Sequence, residues 1–160
     1  MVQITGGDKL EKALADIAQK ISKASEVDIG FLSGATYPDG TSVAFVAAMN
    51  EFGHRIGSAP EEGEEDTRES VPPRPFFRDM IAEKSGEWPK AVGNLLVEND
   101  YDAEKTLGQT GEAIKGQLQE SIVKFDSVPL APSTVAAKGN DKQLVDSGTM
   151  LNSVGYEVKE

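Results

Sequence analysis

Pro72-Pro73-Arg74-Pro75 places three prolines in four positions, and two phenylalanines follow at once. Proline fixes φ near about −65° and disfavours helix in the residue before it, so the chain must run extended up to Pro75, which is itself acceptable as the first residue of a new helix. Side chains of adjacent helical residues diverge by about 100°, so Phe76 and Phe77 cannot both face one core. Either one of the two meets a loop or another subunit, or a curved core accommodates both.

Upstream, Thr41 to Gly53 reads as a helix. Val43, Phe45, Val46, Ala47, Met49 and Phe52 recur at three- and four-residue spacings that cover well over half its circumference, which predicts an interior helix. Thr41, after the turn Pro38-Asp39-Gly40, is placed to cap its start, and Gly53 supplies a left-handed stop. Glu51 then falls in the last turn against the negative end of the helix dipole, which costs about 0.3 to 1 kcal/mol unless a donor offsets it. Two arrangements satisfy this: an exposed Glu51, or one paired with Arg55, Arg74 or Arg78.

Between these segments Gly57 to Ser70, GSAPEEGEEDTRES, concentrates acidic residues and has no large apolar ones. Self-repulsion predicts a flexible acidic loop. Clustered carboxylates can ligate calcium, but the spacing lacks the alternating ligands and terminal glutamate of a calcium loop.

The flanking chain alternates helical and strand signals. Asp8 and Glu11 have the spacing of a capping box, and Leu10, Ala13, Leu14, Ile17, Ile21 and Ala24 form the apolar stripe of a surface helix. Val27, Ile29 and Phe31 alternate with Glu26, Asp28 and Gly30 as a half-buried strand. Pro75 to about Val97 reads as a helix interrupted near Gly86-Glu87 by Pro89, with Trp88 in the core or at an interface. Asp102 is positioned to cap a third helix to about Lys124, whose seam is Leu107, Gly111, Ile114, Leu118, Ile122 and Phe125. Gly108, Gly111 and Gly116 each cost about 1 kcal/mol there relative to alanine, which predicts a close-passing backbone.

Val128 to Pro132 reads as extended, Ser133 or Thr134 as the cap of a short turn of helix to Lys138, and Gly139 to Asp141 as a loop. Asp146-Ser147-Gly148-Thr149 reads as a tight turn whose carboxylate Asp146 accepts backbone N–H bonds. Val154, Tyr156 and Val158 then alternate as a last strand, an expected partner for Val27. The expected fold class is α+β: one domain over residues 1–160, with a small antiparallel sheet packed with three main helices and a flexible acidic insertion at 57–70.

A length of 160 residues is enough for a real core, but only 38% of them are hydrophobic and 6% aromatic, a lean content that suits a subunit completing its core with neighbours. The net charge of −11 argues against binding phosphate backbones or anionic membranes. Without cysteine there are no disulfides. No apolar run approaches membrane-spanning length and no leader pattern stands at the N-terminus, which gives a cytoplasmic expectation.

Reactive constellations are not apparent in the sequence. His54 is the one histidine and has no ligand or base partner beside it, no serine stands in a nucleophile-elbow context, and no phosphate-binding glycine loop occurs. No catalytic, cofactor or metal residue is therefore expected. A cation-binding or hydrolytic protein built on the acidic insertion is the alternative from a different class.

Four blocks, VAAMNEFG, PPRPFFRDMI, PLAPSTVAAKG and LVDSGTMLNSVGYEV, occur in the order in which they resemble the HK97 gp10-like family of tailed-bacteriophage neck and tail-completion proteins. Family members usually join the first two blocks by a short connection, so the 57–70 insertion is a departure. The resemblance implies a non-enzymatic structural protein of the virion, made in host cytoplasm and acting as a homo-oligomeric ring subunit at the head–tail junction. Its partners would be other neck and tail proteins, and DNA would pass through without specific binding; a tail terminator of the same junction is the neighbouring alternative. Asn50, Glu51, Phe52, Gly53, Arg74, Pro75, Phe76, Phe77 and Arg78 are then the expected hinge and interface group. Asp146, Gly148 and Ser153 are expected to shape the C-terminal turn.

Overall fold

The computed structural model describes residues 7–63, 65–127, 130, 135–136, 139 and 143–160. In chain order the elements are α1 (Gly7–Ile21), β1 (Glu26–Phe31), α2 (Val43–Phe52), β2 (His54–Arg55), β3 (Ser70–Val71), α3 (Phe76–Lys84), α4 (Trp88–Glu98), α5 (Ala103–Lys124), α6 (Thr149–Asn152) and β4 (Val154–Lys159). This is the expected α+β class. Most of the segment from Val128 to Asp141, including the expected Ser133 or Thr134 cap, lies outside the described residues.

β1 and β4 pair antiparallel, from Glu26 opposite Lys159 to Phe31 opposite Val154. The two-residue period sorts the strands into two faces. Val27, Ile29, Phe31, Val154, Tyr156 and Val158 share the face that packs on α5, while Lys159 on the other face bridges Glu26 at 3.1 Å and Asp28 at 2.5 Å. Those two carboxylates push the Lys159 ammonium above its ordinary pKa, Asp28 more than Glu26.

Helix α5 is the central beam. Asp102 caps it, accepting from the Lys105 N–H at 3.0 Å, and Gly111, Ile114, Leu118 and Ile122 of the seam are buried, with Phe125 just past its end. The glycines divide. A Cβ on Gly111 would stand 2.5 Å from the Tyr156 ring and 3.0 Å from Val27, whereas Gly108 and Gly116 have nothing within 4 Å. So the close approach is made at one glycine, and by sheet side chains rather than by a passing backbone. Gly108→Ala and Gly116→Ala should each stabilise the protein by up to about 1 kcal/mol, and Gly111→Ala should destabilise it by about 1 to 3 kcal/mol through overpacking. Urea midpoints of the three variants check this ordering.

Pro89 breaks the Pro75–Val97 region into α3 and α4, with Ser85 to Glu87 between them. Trp88 opens α4 against the core and donates from its indole N–H to Gln117 Oε1 at 3.0 Å. Asp8 lies inside the first turn of α1 and is not its cap. No residue of α1 is buried; Leu10 and Leu14 are 62% and 57% exposed. Lys20 ties the helix end to Asp100 at 2.5 Å.

Two expectations for α2 are corrected. Ser42, not Thr41, caps it, its hydroxyl accepting from the Phe45 N–H at 3.4 Å, while the Thr41 N–H is held by Asp39. Nor is the helix interior all round. Val43, Ala47 and Glu51 are buried, but Phe45 and Phe52 are 60% and 67% exposed. The i, i+4, i+8 row of Val43, Ala47 and Glu51 is the face turned inward, Val46 and Met49 flank it half-buried, and Phe45 and Phe52 stand outside.

Candidate functional site

The end of α2 and the start of α3 hold each other through main chain and side chain together. Pro75 precedes α3 and has no side-chain donor or acceptor to cap it; the Phe76 N–H donates to the Arg74 carbonyl at 2.8 Å, which leaves those of Phe77 and Arg78 without a partner within the helix. Glu51, 26 residues earlier, supplies the cap: Oε2 accepts from the Phe77 N–H at 3.0 Å and Oε1 from the Arg78 N–H at 3.2 Å. Arg78 returns the interaction. Its Nε donates to Glu51 Oε1 at 2.7 Å, and its Nη2 donates to the Glu51 carbonyl at 3.0 Å, satisfying an acceptor at the C-terminal end of α2. The carboxylate thus sits at the positive end of one helix dipole and the guanidinium at the negative end of the other.

The neighbouring residues complete the latch. The Asn50 carbonyl accepts from the Arg74 N–H at 2.7 Å, its side-chain oxygen accepts from Arg74 Nη1 at 3.0 Å, and its side-chain nitrogen donates to the Val46 carbonyl at 3.0 Å. Burial holds the Arg74 guanidinium below its ordinary pKa. Gly53 has φ +74° and ψ 168°, and a Cβ there would lie 2.7 Å from the Val71 carbonyl oxygen and 2.9 Å from the Pro73 nitrogen. It is a turn with positive φ and no room, rather than a left-handed helix stop. The Arg78 guanidinium lies 5.0 Å from the centre of the Phe52 ring, within cation–π range. Of the two readings of Glu51, the paired one is observed, with Arg78 as the partner.

Phe76 and Phe77 separate, which decides between the two arrangements the sequence left open. Phe76 is 1% exposed, meets Phe31 edge-to-face at 6.2 Å, and its carbonyl accepts from the Ser121 hydroxyl of α5 at 2.6 Å. Phe77 is half-buried and lines two adjoining hollows along β1. The larger, about 450 Å³, runs beside Val27 to Leu32 opposite Phe77, Ile81 and Trp88. The smaller, about 290 Å³, continues past Ile29 to Phe31 toward Ala44, Ala48, Phe52 and Arg78. No β4 residue lines either hollow, so both lie on the side of β1 away from β4.

At the C-terminal turn Gly148 takes the left-handed conformation, φ +80°, and Ser153 closes the short helix α6 by donating from its hydroxyl to the Thr149 carbonyl at 2.7 Å. The capping role expected of Asp146 falls to Ser147, whose Oγ accepts from the Thr149 N–H at 3.3 Å. Asp146 instead lines a hollow of about 530 Å³ with Tyr37, Asn50 and Met150. Burial, with Asp146 and Asp39 adding to it, raises the Tyr37 pKa.

The acidic insertion is tied together at its base. β2 and β3 pair at its base, the Ile56 N–H donates to the Glu69 carbonyl at 2.9 Å, and Asp66 pairs with Arg68 at 2.9 Å and with Arg55 at 2.7 Å. These cations hold the Asp66 carboxyl far below the usual carboxylate range, the Arg68 hydrogen bonds most of all. His54 stands in β2 opposite Val71. Among the described residues no three His, Cys, Asp or Glu side chains converge as a metal site. No described helix is long and apolar enough to cross a membrane.

No family model matches the chain, and no characterised protein or solved structure matches it. The site is therefore characterised by its own geometry. Asn50, Glu51, Phe52, Gly53, Arg74, Pro75, Phe76, Phe77 and Arg78 are brought together; Asp146, Gly148 and Ser153 form a second locus. Ser121 and Ser147 were missed in the sequence. Nothing in a single hydroxyl residue within a polar run signals which distant carbonyl or neighbouring amide it will meet.

Proposed function

We propose that the chain is a structural subunit of the head–tail junction of a tailed bacteriophage, a neck or tail-completion component that associates with copies of itself into a ring. The observation that carries this reading is the latch. Two of the four blocks of the resemblance, through Asn50-Glu51-Phe52-Gly53 and Arg74-Pro75-Phe76-Phe77-Arg78, make one structural unit in which each polar side chain holds backbone or a partner side chain. Such groups position surfaces rather than perform chemistry. Apolar side chains left outside, Leu10 and Leu14 on α1 with Phe45 and Phe52 on α2, supply area for neighbours. The charge of −11 suits a channel wall that repels DNA phosphates and lets the duplex slide.

Negative-stain imaging of the purified full chain, with sedimentation velocity for mass, tests the proposal. Closed particles with a central opening are the expected result. A monomer at all concentrations, with calcium-dependent thermal stabilisation that disappears on deleting Glu61 to Asp66, would favour the cation-binding alternative.

A further inference from the structure

Every exposed residue of α2 is apolar: Ala44, Phe45, Ala48 and Phe52. Ala44, Ala48 and Phe52 make an i, i+4, i+8 row, and all three line the hollow of about 290 Å³ that they share with Ile29 and Phe77. A surface helix ordinarily turns polar side chains to water, so an outward face without one marks a contact surface.

Helix α1 offers a second uncovered face. A helix of 15 residues is marginal in water on propensity alone and is stabilised by packing its apolar stripe, yet no residue of α1 is buried and Leu10, Leu14 and Ile21 stand exposed. Within one chain the two faces do not cover each other. α1 lies against α5, Lys20 ties its end to Asp100, and none of its residues lines the hollow.

The faces match in length, shape and charge. Leu10 to Ile21 covers about 16 Å at about 1.5 Å per residue, and the ten residues of α2 cover about 15 Å. The Leu10–Leu14 ridge is bulky where the α2 row is small at Ala44 and Ala48, which is how ridges enter grooves when helices pack. Gly7 to Ala24 carries four lysines against three carboxylates, whereas the other residues carry 12 cations against 24 carboxylates. Lys9, Lys12 and Lys23 have no ion-pair partner among the described residues and fall on one side of the stripe, while the acidic insertion leaves the body just after Phe52, at the end of the α2 face. A twofold antiparallel pair of α1 helices would instead set lysine flank against lysine flank, and a pair of α2 helices would leave α1 uncovered.

We propose that α1 of one copy lies across α2 of the next, seating Leu10 and Leu14 in the hollow against Ala44, Ala48 and Phe52. The contact joins two different surfaces, so it repeats from copy to copy and closes into a ring where the rotation between copies permits. It rests on the reading of the chain as a self-associating subunit and names the two surfaces through which it does so.

Leu14→Glu spoils one face and Ala48→Glu the other; both positions are exposed, so each variant should keep the melting temperature of the dissociated parent chain. Each alone should associate at least about tenfold more weakly by sedimentation equilibrium. An equimolar mixture of the two should form 1:1 pairs and nothing larger, because it retains one intact α1 face and one intact α2 face. Since the chain has no cysteine, Leu14→Cys mixed with Ala48→Cys under mild oxidation should give the mixed disulfide pair in preference to either homodimer. Undiminished association of either glutamate variant, a preference for homodimeric disulfides, or a disulfide formed within one chain of the double cysteine variant overturns the proposal. Closed particles imaged from both glutamate variants would overturn this contact and leave the ring standing. Pairs from the mixture, with open chains but no closed particles from the parent, would support the contact and count against the ring.

Discussion

Phe76→Ala is expected to lower the unfolding free energy by about 3 to 5 kcal/mol, enough to unfold much of a marginally stable chain of this size. The ring is 1% exposed and stacks edge-to-face on Phe31, within the cluster that contains Val43, Met80, Leu118 and Ile122. Truncation leaves a cavity beside α5 and removes an aromatic contact of about 0.5 to 1.5 kcal/mol. Phe77→Ala should cost distinctly less, about 1 to 2 kcal/mol, because that ring is half-buried beside an open groove. Urea denaturation of both variants separates them. Phe76, expected within the hinge and interface group, belongs to the core, and Phe77 is the aromatic that faces outward.

Glu51→Ala is expected to cost about 2 to 4 kcal/mol. The carboxylate is buried, at 5% exposure for the residue, and its removal strands the Phe77 and Arg78 N–H groups, each carrying a penalty of about 1 to 3 kcal/mol if unsatisfied. The ion pair itself contributes less, since the Arg78 side chain is 55% exposed and solvent screens it. The magnitudes therefore rank the cap above the salt bridge: Arg78→Ala should cost only about 1 kcal/mol, and raising salt should affect the parent protein little. Equal losses for Glu51→Ala and Arg78→Ala, measured by denaturation at two salt concentrations, would reverse that ranking.

What could be read from the sequence is what local pattern decides. The Asp102 cap and seam of α5, the break imposed by Pro89, and the period-two strands of β1 and β4 are each encoded within a few residues. The errors share a different cause. For α2 the three- and four-residue spacings describe an apolar surface without saying what covers it, so Phe45 and Phe52 outside look the same as Val43 and Ala47 inside. Thr41 and Ser42 are adjacent hydroxyls, and the choice between them depends on Asp39 holding the Thr41 N–H. Gly111 differs from Gly108 and Gly116 only because Tyr156, 45 positions later, lies across it. The latch residues were legible as a group, but which of Arg55, Arg74 and Arg78 meets Glu51 depends on how the proline segment returns to α2.

The reciprocal capping of α2 and α3 is tested most directly by amide hydrogen exchange at Phe77 and Arg78. First-turn helix amides ordinarily exchange with little protection, because nothing within the helix binds them. With the Glu51 carboxylate in place, both amides should be protected to nearly the level of the α5 core, and Glu51→Ala should release these two selectively while Leu118 and Ile122 stay protected. Rapid exchange at Phe77 and Arg78 in the parent protein would contradict the latch.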